Sequence, residues 1–276
     1  MVNSHCLIIK FIMRLRFVCV TFIFVLLITS CGSVYGNDVT LPDAVDPNSI
    51  TIEVGDTVTF GTYNGVPITW KVLKMENSRA LIISEHVLAQ VNFNNKNADI
   101  TWEDSEIRNW LNNDFLASSF NELQRLAIFE TEIVQSNNPD YGVSGGNNTK
   151  DKIFLLSTDE ARDLFITNEE RKATMDGLAM KWWLRSPGVE GKFIAIVLYD
   201  GAVYSFGANA NGDTVYNCGV RPALWADIMS LQTASAQAAK VEAESNATGT
   251  DATGNPTGTD AAGTDTSGND QTTGAQ

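Results

Sequence analysis

The chain has 276 residues, 33 of them acidic against 19 basic, for a formal net charge of −14 at neutral pH. That excess of carboxylates repels phosphate backbones and leaves no basic stripe for counterion release, which excludes nucleic-acid binding as a function class. Histidine is scarce, with two in the whole chain, so metal sites built from several imidazoles are excluded as well.

In chain order, Lys10, Arg14 and Arg16 precede an apolar run from Phe17 to Ile28 that ends at Thr29-Ser30-Cys31. The run is too short to span a bilayer, which needs about 20 residues. A basic flank, a short apolar core and small residues predict a secretion signal over residues 1–30, with Met1 or Met13 as the start. Ile28-Thr29-Ser30-Cys31 resembles the bacterial lipobox. That resemblance implies a diacylglyceryl group on Cys31, palmitate among its acyl chains, and a membrane-anchored protein on the cell surface or the periplasmic face. An ordinary signal peptide with an incidental cysteine is the alternative.

Cleavage before Cys31 removes three of the 19 basic residues, leaving 16 against 33 acidic ones and a formal charge of −17. It also leaves one histidine, His86, and one unmodified thiol, Cys218, so no intramolecular disulfide forms and stability must come from the core. Residues 31–49, with Pro42 and Pro47, read as a tether, and residues 50–230 as the globular domain. Residues 231–276, rich in Thr, Gly, Ala and Asp and without an aromatic ring, predict a disordered acidic tail that buries too little apolar area to offset ordering entropy. A glycosylated or wall-threading segment is the other reading of that tail.

Within the domain, Thr57–Tyr63 and Val66–Leu73 flank Asn64-Gly65, a hairpin signal, and Ala80–Ser84 follows as a short buried strand. Three pairs with capping-box spacing, Thr101/Asp104, Ser119/Glu122 and Ser157/Glu160, predict three short helices. Their apolar faces are Ile107, Trp110, Leu111 and Phe115, then Leu123, Leu126 and Ala127, then Ala161, Leu164 and Phe165. A loop is expected from Ser136 to Asp151. A second hairpin joins Phe193–Tyr199 to Ala202–Phe206 through Asp200-Gly201, and Thr214–Tyr216 and Gly219–Leu224 complete an antiparallel meander whose Pro222 belongs at an edge or irregular position. Strands, helices, then strands argue for an α+β fold.

Thr101–Phe115 (TWEDSEIRNWLNNDF), Trp183–Gly188 (WLRSPG) and Gly219–Trp225 (GVRPALW) in this order resemble an uncharacterised bacterial family, the domain of unknown function numbered 6273, over roughly Gly55 to Trp225. More distantly the pattern is similar to the C-type-lectin-like fold of formylglycine-generating-enzyme-type domains. The resemblance implies a single lectin-like domain with an antiparallel sheet in which the first hairpin pairs with the last strand, bringing Trp70–Leu73 near Val220–Trp225. It does not transfer the activity, because those enzymes hold copper with two cysteines and one thiol remains here.

Five residues are candidate ligand contacts. Trp182 and Trp183 are adjacent, so on a strand they face opposite sides and one of them, Trp183, is the candidate for exposure beside Arg185. An exposed ring next to polar groups suits a sugar or peptide; packing of both, with Arg185 holding a loop, is the alternative. Asn209, Asn211 and Asp213 alternate as hard oxygen ligands in a calcium loop do, and as plain turn residues do. Arg221 reads as structural. Cys218 with His86 is the one thiol pair available for catalysis, against the reading of Cys218 as a small buried hydrophobe. The leading expectation is recognition of an extracytoplasmic glycan or envelope protein through the loops Trp182–Gly191 and Gly207–Asp213. The alternatives are a structural envelope-assembly module that presents the tail, and an enzyme.

Overall fold

The computed structural model describes residues 51–212 and 218–249. The signal, the tether, Cys31, Asp213, the strand expected at Thr214–Tyr216 and residues 250–276 lie outside them. No described helix is long and apolar enough to cross a membrane.

Strands β1 (Thr57–Tyr63) and β2 (Val66–Glu76) form the first hairpin. Its turn residues Asn64 and Gly65 take φ of 51° and 80°, the left-handed pair that a two-residue turn requires and that Asn-Gly tolerates. A second tight turn at Asn77-Ser78 returns the chain as β3 (Arg79–Ser84), so β3 must lie against β2. Its far edge receives β13 (Ala223–Asp227), which in turn receives β7 (Ile153–Phe154), giving a sheet ordered β1-β2-β3-β13-β7. The expected pairing of the first hairpin with the last strand is therefore corrected. Lys71 pairs with Ile83 and Ile83 with Ala223, so β3 stands between the two segments.

The second sheet is built on β9 (Leu178–Pro187), with β10 (Phe193–Val197) and β11 (Val203–Asn209) on one side. On the other lie β12 (Cys218–Val220) and β4 (Ala89–Gln90). The turn Asp176-Gly177 also folds β8 (Ala173–Met175) onto β9, and β5 (Thr131–Ile133) pairs with β6 (Thr149–Asp151), which occupies the end of the loop expected from Ser136 to Asp151. Strand β12 lies on the far side of β9 from β11 and runs parallel to β9, with Cys218 opposite Lys181. The C-terminal stretch is thus not a simple antiparallel meander. Pro222 falls between β12 and β13, strands of different sheets, and marks the corner where the chain changes sheet. Its carbonyl accepts from Ser84 N at 2.9 Å.

Arg221 fastens that corner. Its Nε donates to Ser84 O at 2.7 Å and its guanidinium lies 5.3 Å from the Trp182 ring centre. Burial lowers its pKa to about 10 against the opposing charge of Glu85, and the residue is structural as expected.

The first two predicted helices begin later than the spacing predicts. Helix α1 (Glu106–Trp110) is capped by Ser105, not Thr101, and runs through a π-helical turn (Leu111–Phe115) into α2 (Leu116–Ser119). Helix α3 (Glu122–Ala127) is capped by Asn121 with Gln124 at N3, so Ser119/Glu122 is corrected to an amide version of the same box two residues on. The shift rotates Leu123 and Leu126 outward, to 78% and 75% exposure, while Arg125 turns in and donates to Phe120 O. Helix α4 (Thr158–Asp163) keeps the expected Ser157/Glu160 box and buries Ala161, with Phe165 buried beyond it. Helix α5 (Asn168–Arg171) follows.

The reading of residues 231–276 as a disordered tail is corrected over its first part, because α6 spans Ile228–Gly249. Leu231 and Ala236 are buried, and Ser235 Oγ accepts from Thr59 N of β1 at 3.0 Å. Alanine, the best helix former, explains why a stretch without aromatics is still ordered. The domain is α+β, with mostly antiparallel sheets and few helices.

Candidate functional site

Strand β9 has neighbours on both edges and elements packed on both faces, and this decides the fate of its tryptophans. Trp182 is 0% and Trp183 1% exposed. Their indole N–H groups donate to Arg171 O and Val91 O at 3.1 and 3.0 Å. The expected exposure of Trp183 is corrected: alternation puts the two rings on opposite faces, and both faces are covered.

Arg185 is corrected from ligand contact to internal clamp. It is 3% exposed and donates to Leu155 O at 2.8 Å, to Val134 O at 3.2 Å and, through both terminal nitrogens, to the Glu160 carboxylate. Glu160 also accepts from Ser157 N at 2.9 Å, so one ion pair ties β9 to the cap of α4. Burial alone would raise the Glu160 pKa, but the hydrogen bonds and charge of Arg185 outweigh it and hold it below its ordinary 4.5. A depressed carboxyl stabilises the fold above the unfolded-state value and loses that contribution as pH falls through the folded value. Urea midpoints of wild type and Glu160→Gln are therefore expected to differ at pH 7 and to converge on acidification below 4.5.

The face of Trp183 away from Trp182 borders a cleft of about 510 Å³. Its walls are Gln90 of β4, Asn92 and Asn95 of the following loop, Glu106 and Trp110 of α1, Gly212, and Cys218 of β12. Trp110, expected in the core, is half-buried here, edge-on to Tyr63 at 6.5 Å and 5.3 Å from Phe115. Trp110, not Trp183, is the tryptophan with accessible surface at the site.

The polar groups of the cleft form a chain with a fixed direction. Asn95 donates to Glu106 Oε2 from its backbone N at 3.3 Å and from its side-chain amide. A carboxylate only accepts, so the Asn95 amide must point its NH₂ there and its carbonyl the other way. That carbonyl accepts from Asn92 Nδ2 at 3.0 Å, which leaves the Asn92 carbonyl oxygen as the outer end. Gly212 lies so close that a Cβ on it would fall 2.0 Å from this oxygen. Sequence reasoning missed Asn92, Asn95 and Glu106. The available signal was four asparagines within Asn92–Asn97, more than one turn needs.

The turn after β11 lies beside this loop, with Asn94 N donating to Ala210 O at 2.9 Å and Asn209 Nδ2 to Asn97 Oδ1 at 3.3 Å. Asn209 Oδ1 accepts from Asn211 N at 3.4 Å, which is turn chemistry. Asn209 and Asn211 thus adjoin the cleft without forming its wall, and Asp213 lies outside the described residues. Among those residues no group of three His, Cys, Asp or Glu is placed to hold a metal ion.

Cys218 and His86 are not brought together. His86 is exposed, bonded to Thr174 Oγ1 at 3.1 Å, and lines a separate cavity beside the first hairpin turn. Burial pushes the Cys218 thiol up to about 12, against the opposing charge of Lys181, so it is neutral and unreactive in the folded state. Iodoacetamide at pH 8 is expected to leave Cys218 unmodified until denaturant is added, with peptide mass analysis as the readout. Rapid labelling of the folded protein would contradict this placement.

These features define an α+β domain with a surface cleft of indole, amide and carboxylate. The chain belongs to the family described as Domain of unknown function (DUF6273), which matches residues 77–228 and so contains every cleft residue. No curated protein and no solved structure matches the chain.

Proposed function

We propose that the chain is a surface-anchored bacterial lipoprotein whose domain binds an extracytoplasmic ligand, a glycan or a protein, in the cleft beside Trp110. The observation that carries this reading is one cavity of about 510 Å³ in which indole surface meets a directed chain of amides and a carboxylate. Ligand sites typically enclose roughly 300–1,000 Å³, with few fixed polar groups setting orientation. Indole supplies apolar area to a sugar or side chain, and the amides supply direction. Anchoring is through the lipid on Cys31, with palmitate among its acyl chains and the domain outside the cytoplasm. In this reading the fold is a C-type-lectin-like variant, supported by the antiparallel pairing of β3 and β13 from opposite ends of the domain.

A second reading, an envelope-assembly module, is favoured by α6, which is fixed to the body near Leu231 and Ala236 but exposed over residues 241–246. A glycan array and an envelope-extract pull-down, run with wild type and Trp110→Ala, separate the two. The ligand-binding reading expects retention of wild type and a loss of at least about tenfold for the variant, the scale of one aromatic hot spot. Equal retention removes the cleft from the account, and retention of neither favours the assembly module.

A further inference from the structure

A groove of about 930 Å³ runs along α6, separate from the cleft beside Trp110. Its walls are the first hairpin with Phe60 and Pro67, the α2–α3 corner with Phe120 and Arg125, and the α6 face that carries Ala238 and Val241. Val241 is 58% exposed, so this apolar wall stands open to solvent. The hairpin and nearly all of α6 lie outside residues 77–228, which makes the groove a feature of this chain beyond the family domain.

The groove has one cation in its walls, and that cation has no counter-ion. Arg79, Arg108, Arg162 and Arg185 each reach a carboxylate. Arg125 does not. Its Nη1 donates to Phe120 O at 2.9 Å and to Ala117 O at 3.2 Å, which leaves Nε and Nη2 without a partner among the described residues. Those two nitrogens form one edge of the guanidinium, a pair of parallel donors that the two oxygens of a carboxylate fill together. An apolar groove with a few polar groups at fixed places is the usual form of a small-molecule site.

We infer that the groove binds a fatty acid, its acyl chain along α6 and its carboxylate on Nε and Nη2 of Arg125. Ala234 to Glu242, the length of α6 that lines the groove, is about 12 Å of helix, room for a single chain of medium length. Each methylene removed from water favours binding, and the guanidinium fixes which end goes where. Glu242 lines the α6 wall without pairing to Arg125, and the chain carries a formal charge of −14. A monoanion therefore suits the site better than a phosphate with two charges. The site is independent of the glycan cleft.

The test is calorimetric titration of the full chain in lipid nanodiscs, with empty nanodiscs as the blank, using decanoate, decanol and decyl phosphate. Decanoate is expected to saturate one site about tenfold tighter than decanol or more, the scale of one charge-assisted hydrogen bond. Arg125→Gln is expected to bring decanoate down to the affinity of decanol, whose continued binding reports an intact groove. Glu242→Gln, at an exposed position with no bond to Arg125, is expected to tighten decanoate. Ala238→Trp, which fills the groove from the helix wall, is expected to abolish binding of both. Equal affinity for decanoate and decanol, or decanoate affinity unchanged in both charge variants, overturns the carboxylate assignment. Should Arg125→Gln unfold, unchanged affinity in Glu242→Gln alone overturns it. Tighter binding of decyl phosphate moves the site to a phosphate head group and overturns it as well. Decanoate binding that survives Ala238→Trp, or no binding at all, removes the groove as a fatty-acid site.

Discussion

Replacing Arg185 with alanine is expected to destabilise the fold by about 3 kcal/mol, the lower part of the range for breaking one side of a buried ion pair. Arg185 is 3% exposed, and its hydrogen bonds join α4, β9 and the chain after β5. Glu160 keeps 36% of its side chain in solvent, so the partner left behind can rehydrate, and this places the cost at the low end. Arg185→Lys should recover little, because an ammonium cannot span both carboxylate oxygens and two carbonyls in the planar geometry of the guanidinium. Urea unfolding of the three proteins measures this. A loss under about 1 kcal/mol, the ceiling for surface pairs, would contradict the internal-clamp assignment and return Arg185 to the candidate ligand contacts.

Gly201→Ala is expected to cost roughly 2–4 kcal/mol, combining left-handed strain with overpacking. Gly201 has φ +80°, and a Cβ there would lie 1.7 Å from the carbonyl oxygen of Asn168 in α5. Backbone cannot move aside as a flexible side chain can, and Gly201 O also accepts from Arg171 Nε at 2.8 Å, so the β10–β11 turn is seated on α5. Gly65→Ala provides the internal control. It has the same φ of +80° but nothing within 4 Å, so only the backbone strain, about 1–2 kcal/mol, applies. If melting temperatures fall equally in the two variants, the seating of the turn on α5 contributes nothing.

What could be read from the sequence was local. Asn64-Gly65 specifies its turn through positive φ at both residues, Asp200-Gly201 through positive φ at Gly201 and an Asp200 Oδ1 that accepts from Ala202 N at 3.0 Å, and Ser157 with Glu160 specifies a helix start within four residues. The errors came where partners distant in sequence decide the outcome. Trp183 alternates as a strand residue should, yet its exposure depends on Phe93, 6.0 Å away and 90 positions earlier. Pro222 reads as a strand defect, whereas the switch between sheets depends on Arg221 reaching Ser84. The helix at Ile228–Gly249 was hidden by composition, since alanine gives high helix propensity without the large apolar residues that usually mark order. The cleft was least legible of all. Asn92, Asn95 and Glu106 read singly as loop amides and a first-turn acid, and their meaning lies in the direction of the bonds between them.

The most direct test of the cleft is a set of ¹H–¹⁵N spectra that resolve the six indole N–H signals, recorded while the chain is titrated with whichever glycan the array retains. The Trp110 and Trp183 signals are expected to move together and to saturate at the affinity measured for binding, while Trp70 and Trp225, remote in the first sheet, stay still. Saturable binding that leaves Trp110 and Trp183 unmoved would contradict the account.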